Sequence, residues 1–232
     1  MNALDGRVAL VTGASRGIGG VIAARLHAEG ARVVALARSF EPLETDRRLD
    51  LRCDVTAAGD VHAAVARTTT AFGVPDIVIN NAGTFLLKPL PETSESEFVE
   101  QWSVNVLGAF LVLRELLPAM RARGRGHIVT IGSVVDHVPY AGNAAYGASK
   151  YGVRGLHEVV SEELRGSGIR TTLISPGATD TRLWDQFDAD GRSDVPARER
   201  MLAPADVADA VLFAVTRPER VGVEWIRLMP AG

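Results

Sequence analysis

The residues that most constrain this chain are Thr12 to Gly19, TGASRGIG, set between an apolar run at 7–12 (RVALVT) and an amphipathic run at 21–30 (VIAARLHAEG). The first run is apolar without alternation, the mark of a strand buried on both faces. The second has helical periodicity and closes on Gly30, a C-cap signal. At the junction, Gly13 permits a tight turn, Gly17 lets the backbone approach a pyrophosphate, and Gly19 lets helix and strand pack closely. The helix N-terminus then offers free amides and a partial positive charge to an anion. With 31–38 (ARVVALAR) as the next strand, residues 7–38 read as a βαβ unit with a nucleotide-binding first turn.

The alternation continues. Strands are expected at 50–55, 75–83, 126–133, 168–177 and 221–230, and helices at 57–73, 94–121, 144–166 and 204–216. Thr56 is the expected N-cap and Gly73 the expected C-terminal stop of the second helix. Ser94 and Glu97 form a capping-box pattern ahead of the longest helix. In that helix Phe98, Trp102, Val106, Phe110 and Leu113 recur at helical spacing, and Pro118 is expected to kink or shorten its last turns. Segment 39–49 is polar, interrupted by Pro42, and too weak for a helix. Strands alternating with helices throughout imply a parallel, doubly wound sheet. No linker or repeat divides residues 1–232, so one domain is expected.

Composition narrows the function. With 47% hydrophobic and 23% charged residues the chain reads as a soluble globular protein, and its net charge of -3 gives no general attraction for nucleic acid or anionic membrane. No apolar stretch approaches the ~20 residues of a membrane span, and MNALDG does not open a signal peptide. The single cysteine, Cys53, reads as a buried thiol in a reducing cytoplasm. The five histidines (27, 62, 127, 137 and 157) show no metal-ligand spacing. His137 reads as a satisfied loop residue.

Chemistry gathers in 133–150, SVVDHVPYAGNAAYGASK. Ser133 ends a strand, Tyr146 opens a helix, and Lys150 follows one turn later on the same face. A ketone receiving a hydride needs a proton on its developing alkoxide. Tyr146 can supply it if its pKa falls from about 10 towards neutrality, a shift worth roughly 4 kcal/mol. An ammonium roughly 4 Å away at an effective dielectric near 20 contributes about that much. Ser133 would hydrogen-bond the carbonyl oxygen.

TGASRGIG, NNAG (80–83), Asn105, Ser133 and Tyr146-x-x-x-Lys150 stand in the order and approximate spacing of the short-chain dehydrogenase/reductase family, which the chain resembles along essentially its whole length. The run HIVTIGSVV also resembles ketoacyl-carrier-protein reductases. The resemblance implies a single Rossmann-type domain of about seven strands, with 178–203 as a substrate lid. Asn105 would kink its helix and hold a water linking Lys150 to solvent. Ser15, Arg16 and Ile18 join the loop glycines in holding the cofactor. Asp54 and Val55 would border its adenine, Asn81, Ala82 and Gly83 its middle, and Pro176 and Gly177 its carboxamide, with Thr181 as a hydroxyl contact. Thr179 departs from the family's aliphatic residue.

Dinucleotide sites for NAD carry an acid at the end of strand two. Here that place holds Ala37, followed by Arg38, with Arg16 in the glycine loop. Two guanidiniums and no carboxylate suit a 2′-phosphate, so NADP(H) is expected over NAD(H). Phe85, Leu86, Trp184 and Phe187 follow strand ends and could wall a substrate pocket. The expected activity is an NADP(H)-dependent carbonyl reductase or, in reverse, an alcohol dehydrogenase. A catalytically silent NADP(H) sensor of the same fold is the alternative. A halohydrin dehalogenase-type lyase would carry arginine for Lys150 and lose the glycine loop. By resemblance, helices 94–121 and 144–166 pair in a homotetramer or homodimer, although their apolar faces could equally be spent within one subunit.

Overall fold

The structure is a computed structural model and describes residues 2–185 and 196–231. Strands β1 (Val8–Thr12), β2 (Arg32–Ala37), β3 (Leu43–Glu44), β4 (Arg48–Arg52), β5 (Ile77–Asn80), β6 (Gly126–Ile131), β7 (Ile169–Pro176) and β8 (Trp225–Leu228) form one sheet in the order β3-β4-β2-β1-β5-β6-β7-β8. All neighbours pair in parallel except β3, which lies antiparallel along β4. The seven expected parallel strands are present, and β3 is an addition within the segment left unassigned at 39–49. The strand order reverses between β1 and β5, which opens a crevice at the carboxyl ends of both.

The apolar runs split cleanly between the two faces. Ala9, Val11, Val33, Ala35, Ile77 and Ile79 face α1 (Gly17–Ala28) and α6 (Pro204–Val215), in a core completed by Ile22, Leu26, Val207 and Val211. Leu10, Val34, Leu36, Val78 and Ile128 face the opposite core. That core holds residues of α2 (Ala58–Phe72), α4 (Gly108–Arg123) and α5 (Ala144–Glu163). Burial on both faces is why the strands lack polar alternation.

Local differences from the expected boundaries have physical reasons. Helix α1 begins inside the glycine loop, at Gly17. Thr56 is not the cap of α2, because its hydroxyl and amide both bond Asp54 Oδ1, at 2.8 and 2.9 Å, and Ala57 takes the cap position. The capping box forms as expected at α3 (Glu95–Trp102), with Glu97 Oε2 accepting the Ser94 amide at 2.8 Å. The long helix is interrupted by a π-turn at Ser103–Leu107 between α3 and α4, whereas Pro118 sits inside α4, which runs on to Arg123. Taken together, Glu95–Arg123 is long and apolar enough by composition to cross a membrane, contrary to the expectation that no stretch is. Leu111, Val112, Leu116 and Met120 are instead spent in the core against the sheet. Of the helical stripe, Leu113 is buried but Phe98, Trp102 and Phe110 are exposed.

Candidate active site

The crevice at the strand ends is a cleft of about 850 Å³. Its floor is built by the glycine loop. Gly13 has φ +66°, and a Cβ there would lie 2.8 Å from the Ala82 Cα. At Gly19 a Cβ would meet Asn81 Nδ2 at 2.3 Å and the Gly13 carbonyl oxygen at 2.5 Å. The close packing that Gly19 permits is therefore against the Gly13 turn and the loop after β5 rather than against a strand. Thr12 ties the two loops together, its hydroxyl accepting the amides of Asn81 and Ala82, both at 3.0 Å. Asn81 Nδ2 donates to the Thr12 carbonyl at 2.9 Å.

Helix α1 points into this cleft with no side-chain cap and no acidic residue in its first turn; Arg16 holds the N-cap position. Gly17, with φ +57°, adds no bulk in front of it. Free amides, a helix dipole and a nearby guanidinium fit a pyrophosphate. Further along, Ala37 is buried while Arg38 and Ser39 are exposed on the cleft edge. Across from them, Asp54 is held below the usual carboxylate range chiefly by the Thr56 amide, with a smaller contribution from Arg38. Ser15, Ile18, Val55, Gly83, Pro176, Gly177, Thr179 and Thr181 all line the same cleft. Thr179 is turned inward, its hydroxyl donating to the Gly177 carbonyl at 3.0 Å. The residues present thus fit a nicotinamide dinucleotide along the whole crevice.

The reactive groups meet at its far end. Ser133 follows β6, and Tyr146 lies in the first turn of α5 with Lys150 a turn further on. Lys150 Nζ donates to the Ile131 carbonyl at 3.1 Å and stands 5.8 Å from the centre of the Tyr146 ring. The expected drop in the phenol pKa is absent in the protein alone. Burial pushes Tyr146 up to about 12, with Asp136 adding to the rise and a hydrogen bond from Ser133 opposing it. Burial also pulls Lys150 down to about 8, opposed by Asp136. Desolvation is the largest influence on both groups.

Asn105 does not line the cleft. It lies buried behind it in the π-turn, accepting the Thr84 amide at 2.9 Å and donating to the Thr84 carbonyl and Ser149 Oγ at 3.1 and 2.8 Å. Ser149 in turn donates to the Tyr146 carbonyl at 2.7 Å. Together these bonds brace the loop after β5 against α5. The helix distortion expected at Asn105 is present as the π-turn.

Among the aromatic candidates, Phe85 packs edge-on against Tyr146 at 4.8 Å and at a tilt against Trp184 at 5.1 Å. Trp184 donates its indole N–H to the Thr179 carbonyl at 3.1 Å. Leu87, not Leu86, faces the cleft, and Phe187 lies outside the described residues, as does 186–195 of the expected lid. Residues missed in the sequence are Tyr140 and Asn143, ahead of α5, and Met229 and Pro230, after β8. They carry no motif, and only the fold brings them to the site. His137 lies off the cleft, paired with Asp136, and Cys53 is a buried free thiol pushed up to about 12 by burial. Among the described residues no group of three or more His, Cys, Asp or Glu is placed to hold a metal ion.

The short chain dehydrogenase family model matches residues 7–191. The chain is 40% identical over 225 residues to 2-(R)-hydroxypropyl-CoM dehydrogenase of Xanthobacter autotrophicus, covering 89% of this chain and 90% of that one. Among solved structures, a metagenomic short-chain oxidoreductase in complex with NADP superposes with a TM-score of 0.81 at 31% identity, covering 99% of each chain. An alcohol dehydrogenase from the archaeon Thermococcus sibiricus, complexed with 5-hydroxy-NADP, gives 0.83 at 30% identity, covering 96% and 95%. The chain belongs to the short chain dehydrogenase family, a family of oxidoreductases.

Proposed function

We propose that the protein interconverts a carbonyl compound and the corresponding alcohol, using NADP(H) in preference to NAD(H), with Tyr146 as the general acid and base. The observation that carries this reading is the meeting of Ser133, Tyr146 and Lys150 at one end of a cleft whose other end offers an uncapped helix N-terminus and Arg38. The nicotinamide, when bound, supplies or accepts the hydride. Ser133 holds the carbonyl oxygen, and Tyr146 delivers its phenolic proton there as negative charge develops. Tyr146 is protonated at neutral pH, the form that reduction requires, while the rise to about 12 in the protein alone runs against the fall that proton delivery calls for. Lys150 stabilises the phenolate left behind. Phe85, Trp184 and Leu87 give the substrate end an apolar wall, which suits a carbonyl compound with a hydrophobic substituent.

The reading extends to a cytoplasmic protein that assembles with copies of itself as a homotetramer or homodimer. A silent NADP(H) sensor of the same fold would bind nucleotide without consuming it. Both are separated by following NADPH oxidation with a panel of ketones and aldehydes. The wild type should turn over, and Tyr146→Phe should lose at least about 100-fold in kcat, the low end of what a positioned acid contributes. Nucleotide binding should stay nearly unchanged. A Tyr146→Phe protein with wild-type turnover would remove Tyr146 from this role.

A further inference from the structure

Asp136 is a carboxylate with no exposed surface, three residues after Ser133, and the reaction as described does not use it. Its Oδ2 accepts the Ser133 amide at 3.1 Å and the Ser175 hydroxyl at 3.0 Å, and Oδ1 takes the Nδ1 proton of His137. The indole N–H of Trp225 donates to Ser175 Oγ at 3.0 Å, while the His137 ring stacks on Trp225 at 4.3 Å and 11°. A closed ring of contacts thus joins the ends of β6 and β7 to β8 directly beneath the serine. Gly132 makes room for it, since a Cβ there would lie 2.4 Å from Asp136 Oδ2. Burying a carboxylate costs several kcal/mol before its hydrogen bonds are counted, so packing alone does not account for this residue.

We propose that Asp136 is a positioning residue: its carboxylate anchors the turn that aims Ser133 and supplies the negative charge that balances the Lys150 ammonium. This rests on the reaction proposed above. The charged and titratable groups around the carboxylate are His137 on its own turn and Tyr146, Lys150 and Arg154 on α5. Arg154 donates to the Asp136 main-chain carbonyl at 2.9 Å and pairs with Glu158 at 2.7 Å. Strand β7 presents the uncharged Ser175, and β8 presents Trp225 with the exposed Arg227 two residues on. Asp136 raises the proton affinity of both Tyr146 and Lys150. Removing its charge therefore lowers both.

The chain has only two lysines, Lys88 and Lys150, so the side chain of Lys150 can be titrated by NMR on lysine-labelled protein with Lys88 as internal reference. The wild type should titrate near 8 at Lys150. Asp136→Asn keeps the shape of the site and should move that midpoint down by at least about 0.5 unit, while Lys88 stays fixed. The pH–rate profile for alcohol oxidation should move acid-ward with it. In the same variant kcat should fall about tenfold or more, with a smaller change in KM. Asp136→Ala, which leaves room for water to satisfy the three donors, reads the charge independently if the asparagine variant does not fold. An unchanged Lys150 midpoint in whichever variant folds overturns the proposal. The NMR titration needs no turnover, so failure of the proposed reaction, seen as an active Tyr146→Phe or an inert wild type, is distinguished from failure at Asp136.

Discussion

At the scale of single residues, the proposed preference for NADP(H) rests on Ala37 and Arg38. No carboxylate stands at the end of β2 to accept a ribose hydroxyl, and two exposed guanidiniums, Arg38 and Arg16, edge the same part of the cleft. Hydrogen bonds between charged partners contribute about 1.5–3 kcal/mol, which is roughly 10- to 150-fold in kcat/KM. Arg38→Asp should lose that much with NADPH and leave NADH unchanged or improved, measured as steady-state kinetics with each cofactor. A wild type that works equally well with NADH would remove the arginine from this role. Arg38 was legible in the sequence because it sits one residue past a recognisable strand, and Tyr146 and Lys150 because a helix fixes what four residues apart means. Asp136 was not. Its partner Ser175 lies 39 residues away, and Trp225, which bonds Ser175, a further 50 beyond that, so nothing local announces that a carboxylate after the serine is buried under it.

At the scale of elements, periodicity located the helices but could not tell where their apolar faces go. The stripe from Phe98 to Leu113 looks like one surface, yet the π-turn at Ser103–Leu107 changes its phase midway. Leu113 then turns into the core, while Phe98, Trp102 and Phe110 remain 41%, 44% and 40% exposed. Helix α5 adds Tyr151 and Val159, 45% and 59% exposed. Helices α3 and α5 pack closely, a Cβ at Gly152 lying 3.0 Å from the Trp102 ring, so these side chains are carried by adjoining helices. Clustered exposed aromatics of this kind favour burial against another chain, and a second copy offers the same helices in return. The wild type should elute from a sizing column as a dimer or tetramer, and Trp102→Glu should shift it toward the monomer while preserving its circular dichroism. A wild type that runs as a monomer at high concentration would end this part of the proposal.

At the scale of the whole molecule, the sheet was legible because strands buried on both faces leave continuous apolar runs, and the cleft because the strand order reverses after β1. The short β3 was not, since two exposed residues held by an edge leave no periodic signal. Nor was the state of the buried histidines. His127 and His157 are bonded to Thr172 and Thr130 at 2.8 and 2.9 Å, and burial pulls them down to about 3 and about 4. Below about pH 6.5 the unfolded chain takes up protons at both positions while the folded chain does not. Stability from this source is therefore complete above pH 6.5 and is lost progressively as pH falls from there to about 4 for His157 and about 3 for His127, by a few kcal/mol in all. Denaturant unfolding should give a midpoint that falls steadily from pH 7 to pH 4.5. The double variant His127→Gln/His157→Gln should start lower at pH 7, having lost well-fitted hydrogen bonds, but decline less over the same range. If wild type and double variant decline in parallel, the acid sensitivity comes from carboxylates such as Glu97, whose pKa is lowered to about 2 chiefly by the Ser94 amide, and not from the histidines.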